Sequence, residues 1–215
     1  MKLIQADCLQ VMKRYNDNYF DLAIVDPPYG ININKKMMGK SKTKTNPASL
    51  RSFTPKDWDK SIPEPKYFEE LFRVSKNQII WGGNYYPLPL TRAWLFWDKS
   101  VPIGVSFGDG ELAWTSFDIP LKKINIPYSG FKGTEPGGKI HPTQKPIALY
   151  RWILKNYAKP SDKILDTHLG SGTNAIACHY FGVKEFVGIE IDQEYFNNAK
   201  RKILKDTQQM KLFKL

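Results

Sequence analysis

"DKILDTHLGSGTNAIACHYFGVKEFVGIEID" (residues 162–192) passes from a short apolar run through a glycine turn into a helical segment and a second apolar run. Ile164 and Leu165 end on Asp166, Gly170-Ser171-Gly172-Thr173 makes the turn, and "FVGIE" ends on Glu190. Strand, turn, helix, strand is the repeating unit of a parallel sheet covered by helices. The glycines let the backbone turn sharply and approach a ligand, and the helix start offers unpaired N–H groups to a negative group. Glu190 lies roughly 20 residues beyond the first glycine, where a strand-end carboxylate can accept hydrogen bonds from ribose hydroxyls. The run from Gly170 to Ala175 also satisfies the G-x-G-x-x-G/A dinucleotide pattern. An adenosine-containing ligand is therefore indicated, with its kind left open. The plainer alternative is a ligand-free structural turn.

The same alternation extends through the chain. Leu3 and Ile4 form a short strand ending at Asp7, "CLQVMKRY" a helix, and Leu22–Val25 a strand ending on Asp26. "PKYFEELFRV" is an amphipathic helix with Pro65 suited to its start. "NQIIWGG", "AWLFW" and "ELAWTSF" are apolar runs bounded by breakers and read as strands. The segment from Pro146 to Tyr157 is helical, and so is the tail from Glu194. Residues 31–62 carry little apolar periodicity and form a long basic loop. There is no internal repeat. These elements predict one α/β domain over residues 1–215, a mostly parallel sheet with helices on both faces.

Composition narrows the partners. With 215 residues, 41% hydrophobic and 25% charged, the chain can bury a core without staples. A net charge of +11 suits a polyanion. Cys8 and Cys178 argue against a disulfide framework, and with only three scattered histidines no metal-ligand spacing arises. The N-terminus turns polar too early for a signal peptide, and no apolar run reaches the roughly 20 residues of a membrane span. The expectation is a soluble cytoplasmic protein with no membrane association and no metal.

"FDLAIVDPPYGININ" (residues 20–34) holds the second site. Two prolines fix φ and remove two N–H donors, leaving a stiff strand-end platform with the Asp26 carboxylate, the Pro27 carbonyl and the Tyr29 ring. The alternative is turn chemistry, which Asp-Pro and Pro-Pro pairs also mark. An exocyclic amine on adenine or cytosine is a poor nucleophile because its lone pair is delocalised into the ring. Two fixed acceptors can hold both amino hydrogens and favour a pyramidal nitrogen, while Tyr29 stacks on an extruded base. That use, and a glycine unit late in the chain, favour S-adenosylmethionine over NAD.

The sequence resembles the β-class DNA amino-methyltransferases, which modify adenine N6 or cytosine N4. Three blocks carry the resemblance: "ADCLQVM" leading to "VDPPYG", then "HPTQKP", then "LDTHLGSGTNAIA" with "FVGIEID". They span nearly the whole chain in the order catalytic block before cofactor block. The resemblance implies a Rossmann-like class I methyltransferase fold, circularly permuted, using S-adenosylmethionine on double-stranded DNA by base flipping. It implies that Asp26, Pro27, Pro28 and Tyr29 handle the target base. Asp166, Gly170, Ser171, Gly172 and Thr173 would cradle the methionine part of the cofactor, Glu190 the ribose, and Asp7 the adenine with Cys8 beside it. His141, Thr143 and Lys145 would close the pocket, Lys145 toward the cofactor carboxylate. Thr167-His168-Leu169 departs from the usual Pro-Phe-Ala, and His168 is expected to occupy the aromatic slot of the cofactor pocket. Asp rather than Ser at position 26 favours adenine over cytosine as a family tendency. A homodimer and a cognate restriction nuclease are further partners that such relatives bring into view.

Base recognition is assigned to what remains. Lys35, Lys36, Lys40, Lys42, Lys44 and Arg51, with Lys56 and Lys60, are expected to contact DNA phosphates; the alternative is a solvated face. Family architecture places a small target-recognition insertion at about 98–140. Asn84, Tyr85 and Tyr86, near a strand end, are candidates to line the base pocket. An NAD(P)-dependent oxidoreductase and a catalytically silent DNA-binding module are the readings from other classes. The prolines and the charge argue against the first, and the intact Asp26–Tyr29 block against the second.

Overall fold

The computed structural model describes residues 1–33, 56–101, 108–127 and 139–208. Among the described residues, eight strands form one sheet: β1 (Lys2–Gln5), β2 (Phe20–Val25), β3 (Ser75–Trp81), β4 (Trp94–Asp98), β5 (Gly110–Thr115), β6 (Lys122–Asn125), β7 (Lys163–Asp166) and β8 (Glu185–Glu190). Their spatial order is β1-β8-β7-β2-β3-β5-β4-β6. β5 alone runs against its neighbours, pairing antiparallel with both β3 and β4. The other pairs are parallel.

Side-chain alternation gives the sheet two apolar faces, which accounts for near-continuous burial along its central strands. In β2, Leu22 and Ile24 face one way, packing with helices α3 (Ile147–Tyr157), α4 (Thr173–Phe181) and α5 (Gln193–Gln208). Ala23 and Val25 face the other, toward α1 (Cys8–Met12) and α2 (Pro65–Val74). Helices thus cover both faces, as the sequence predicts. α2 begins at Pro65, and its buried residues Tyr67, Phe68, Leu71 and Val74 follow the helical period.

β6 escapes the sequence reading. "KKIN" buries only Ile124 at the sheet edge, so it has no apolar run to announce it. Within the segment assigned to target recognition, β5 and β6 belong to the main sheet. Residues 102–107 and 128–138 of that segment lie outside the described residues, as do 34–55 of the basic loop. Among the described residues, no helix is long and apolar enough to cross a membrane.

β2 and β7 are neighbours whose following segments lead to opposite sides. In parallel α/β sheets ligands bind at such a switch point, outside the carboxyl ends of the strands. Both sequence blocks of interest begin there.

Candidate active site

The platform after β2 is held from several directions. Gly30 (φ 73°) and Ile33 each donate a backbone N–H to the buried Asp59 carboxylate at 2.9 Å. Tyr29 stacks on Tyr85 with ring centroids 4.9 Å apart at 15°. Gly82, at φ 69°, permits that placement, since a Cβ there would lie 2.2 Å from the Tyr29 ring. The Tyr86 hydroxyl donates to the Pro27 carbonyl at 2.7 Å and reaches that of Pro28 at 3.1 Å. Tyr85 and Tyr86 therefore do join the platform.

An ion network closes over Asp26. Tyr29 OH donates to Asp26 Oδ1 at 2.8 Å, and Lys145 Nζ to Oδ2 at 2.6 Å. The same ammonium reaches Glu111 Oε2 at 2.9 Å, and Lys99 meets Glu111 Oε1 at 2.5 Å. Burial pushes the Asp26 carboxyl above its ordinary range, with Lys145 opposing it. Burial would also raise Glu111, but Lys145 and Lys99 outweigh it and hold that carboxyl at about 2. Burial would lower Lys145, yet the two carboxylates keep it above the usual lysine range. Lys145 was expected at the cofactor carboxylate, and the structure places it on the platform instead. Two half-buried carboxylates, Asp26 just after β2 and Glu111 on β5, face one another and favour a cation between them, and the loop carrying Lys145 supplies it.

Asp166 ends β7 and leads into the glycine turn. Asn174 Nδ2 donates to Asp166 Oδ2 at 3.0 Å and to the Ile24 carbonyl of β2 at 3.2 Å, so one amide spans the ends of both strands. Burial raises Asp166 to about 7, and the charged groups that bear on it most, Asp26 and Glu190, are both acidic. Gly170 and Gly172 have positive φ, 51° and 74°. The Gly170 N–H and the Asp192 N–H fix the Glu190 carboxylate at 2.9 and 3.0 Å. Ser171 and Thr173 share a hydroxyl contact at 3.3 Å.

The remaining expected residues surround this turn. A Cβ on Gly170 would lie 3.8 Å from His141 Nδ1, and Thr143 Oγ1 meets that same nitrogen at 3.2 Å. The His141 ring packs edge-on against Tyr195 at 4.4 Å, and burial lowers its pKa to about 3. His168 also stays neutral, lowered to about 4 by burial, with its ring edge-on to Tyr67 and Nδ1 on Thr167 Oγ1. It behaves as an aromatic residue. Asp7 caps α1 by accepting the Gln10 N–H, while burial first and Asp7 second push the adjacent Cys8 thiol up to about 12.

Lys35, Lys36, Lys40, Lys42, Lys44 and Arg51 lie outside the described residues. Lys56 and Lys60 are described and already paired. Lys56 contacts Asp192 and Glu194 at 2.6 and 2.9 Å, and Lys60 contacts Asp57 at 2.5 Å. Sequence reading missed Glu111 and the anchoring role of Asp59. It also missed the bridge made by Asn174, although the glycine motif runs directly into that residue.

The Type II methyltransferase M.HpaI of Haemophilus parainfluenzae is 24% identical over 240 residues, covering 94% of this chain and 74% of the relative. The crystal structure of an M1.HpyAVI–SAM complex superposes with a TM-score of 0.61 at 22% identity, covering 94% of this chain and 98% of that one. The cytosine-N4-specific PvuII DNA methyltransferase gives 0.58 at 12%, covering 96% and 91%. This likeness extends across nearly the whole sheet and its helices, so the fold is that of the class I methyltransferases. Residues 80–201 match the N6_N4_Mtase family of DNA methylases. With more than half of its length matched, the chain belongs to that DNA methylase family.

Proposed function

We propose that the protein transfers a methyl group from S-adenosylmethionine to the exocyclic N6 of adenine in double-stranded DNA, after flipping the base from the helix. One observation carries this reading: Asn174 joins the acceptor platform after β2 to the carboxylate and glycine turn after β7. S-adenosylmethionine supplies an electrophilic methyl on a sulfonium centre. The residues present fit it. Asp166 is a buried carboxyl with acidic neighbours, suited to a cationic amino group; Gly170 and Gly172 keep side chains out of the turn; and Glu190 is oriented to accept from hydroxyls.

In this reading Asp26 and the Pro27 carbonyl accept the two amino hydrogens of the target base, and Tyr29 offers its face for stacking. His141, His168 and Thr143 wall the cofactor side, with Asp7 and Cys8 toward the adenine. The six basic residues between 35 and 51 contact DNA phosphates. Transfer is direct and in line, with no covalent enzyme intermediate. Cytosine N4 presents the same two hydrogens, so the preference for adenine rests on Asp at position 26. The Type II name of M.HpaI supports adding a cognate restriction nuclease, whereas a homodimer rests on the family resemblance alone.

Incubation with tritiated cofactor and unmethylated DNA, followed by nucleoside mass spectrometry, should yield N6-methyladenine. N4-methylcytosine would transfer the reading to the other base, and no modified nucleoside would remove it.

Cofactor binding should also depend on pH. The carboxyl of Asp166 moves from 3.8 to about 7 on folding, so in the ligand-free protein it contributes stability at low pH that is lost as pH rises through that window. A bound ammonium favours the carboxylate, so binding releases a proton below pH 7. Affinity is expected to weaken by up to about tenfold per pH unit below about 7. Calorimetry in buffers of different ionisation enthalpy measures both the affinity and the proton released.

A further inference from the structure

We propose that Glu111 is a positioning residue for this reaction: it receives Lys145 and Tyr29 when the target amine takes their places on Asp26. The inference rests on the methyl-transfer reading and deepens it. In the structure both oxygens of Asp26 are engaged, Oδ1 by the Tyr29 hydroxyl at 2.8 Å and Oδ2 by the Lys145 ammonium at 2.6 Å. A neutral amine is a weaker donor to a carboxylate than an ammonium. It displaces these donors readily only if they find another acceptor, because a buried donor left unpaired is costly.

Glu111 offers that acceptor. Its Oε2 lies 2.9 Å from Lys145 Nζ and 3.2 Å from Tyr29 OH, so both donors already touch it. Lys99 takes the other oxygen, Oε1, and fixes the carboxylate from behind. Backbone packing sets its position: a Cβ on the preceding Gly110 would lie 2.3 Å from the Trp97 carbonyl. The exchange is one of hydrogen bonds. As the amine donates to Asp26, Lys145 and Tyr29 shift their donation to Glu111, and the charges of the network are unchanged.

The competing account is that Glu111 only balances charge and holds the fold. The groups that bear on Asp26 separate the two through pH. Lys145 lies before α3, Glu111 on β5 and Asp166 on β7, and Tyr29, Tyr67 and Tyr150 face it from the platform, α2 and α3. Of these, Glu111 is the carboxylate that opposes ionisation of Asp26.

The test uses the full chain, tritiated S-adenosylmethionine and unmethylated phage DNA, comparing wild type with Glu111→Gln and Glu111→Asp. For Glu111→Gln the expected result is a lower melting temperature, because Lys145 and Lys99 lose the carboxylate they share, with cofactor affinity unchanged and kcat lowered about 10- to 100-fold, as for a lost charged hydrogen bond. KM for DNA changes little. The acid limb of kcat shifts to lower pH, since one carboxylate opposing Asp26 has gone, and Glu111→Asp recovers part of the rate. Unchanged kcat and pH profile in Glu111→Gln would overturn the inference. So would a loss of cofactor affinity in parallel with the loss of rate, which marks a structural role. A wild-type protein that binds cofactor but methylates no DNA would instead remove the functional reading, and this inference with it.

Discussion

Asp26→Ala should bind S-adenosylmethionine as tightly as the wild type and methylate DNA about 10²- to 10³-fold more slowly, the range for loss of one preorganised polar group at a reacting centre. The cofactor side does not depend on this carboxylate, because Asp166 takes its hydrogen bonds from Asn174 and the His168 N–H. The fold should survive as well, since Lys145 keeps Glu111 as its partner. What disappears is one of two acceptors for the amino hydrogens, leaving the Pro27 carbonyl alone. Asp26→Asn separates charge from geometry, because its amide oxygen can still accept one hydrogen bond. Rates measured with labelled cofactor, alongside calorimetric affinity, decide the matter. An Asp26→Ala protein of undiminished rate would remove the platform from the chemistry.

The second large effect is on stability. Lys145→Met removes the only cation that contacts Asp26 among the described residues, with the lysine side chain 2% exposed and that of Asp26 18%. Breaking a buried pair in this way costs about 3 kcal/mol, because a charge is left uncompensated. Its pH dependence has a definite sign. Without Lys145, the burial that raises Asp26 above its unfolded value of 3.8 goes unopposed. An acid with a raised folded pKa contributes stability at low pH that is lost as pH rises through that pKa. The deficit should therefore be largest at neutral to alkaline pH and shrink toward about pH 5. Glu111 retains Lys99 throughout. Urea denaturation at both ends of this range measures the difference, and an equal deficit at both would assign the loss to packing instead of charge.

Elements with an apolar signature were readable before any coordinates. α2 begins at its proline and ends where its helical period fails, and β2, β7 and β8 end on the acidic or apolar boundaries that the chain displays. Strand order and the reversal of β5 were not readable, because both depend on which edges meet after long connections. β6 was hidden because an edge strand needs to bury only Ile124. The two blocks of the site were legible because proline and glycine constrain the backbone in ways visible in the letters. Glu111 was not, since a single acidic residue opening a strand looks like a solvated end until β5 inserts between β3 and β4. The pairing of Lys145 with Asp26 was not legible for the same reason: the two are 119 positions apart, and only the fold shows that a carboxylate there has a counter-ion.

Asn174 also bears on modular engineering of such enzymes. Its amide hydrogens are shared between Asp166 and Ile24, and its oxygen accepts from Cys178 Sγ at 3.6 Å. A chimaera that splices the last third of a relative onto the first two thirds of this chain inherits a seam at that side chain. Grafts must carry a carboxamide of the same reach, or the halves will fold yet work out of alignment.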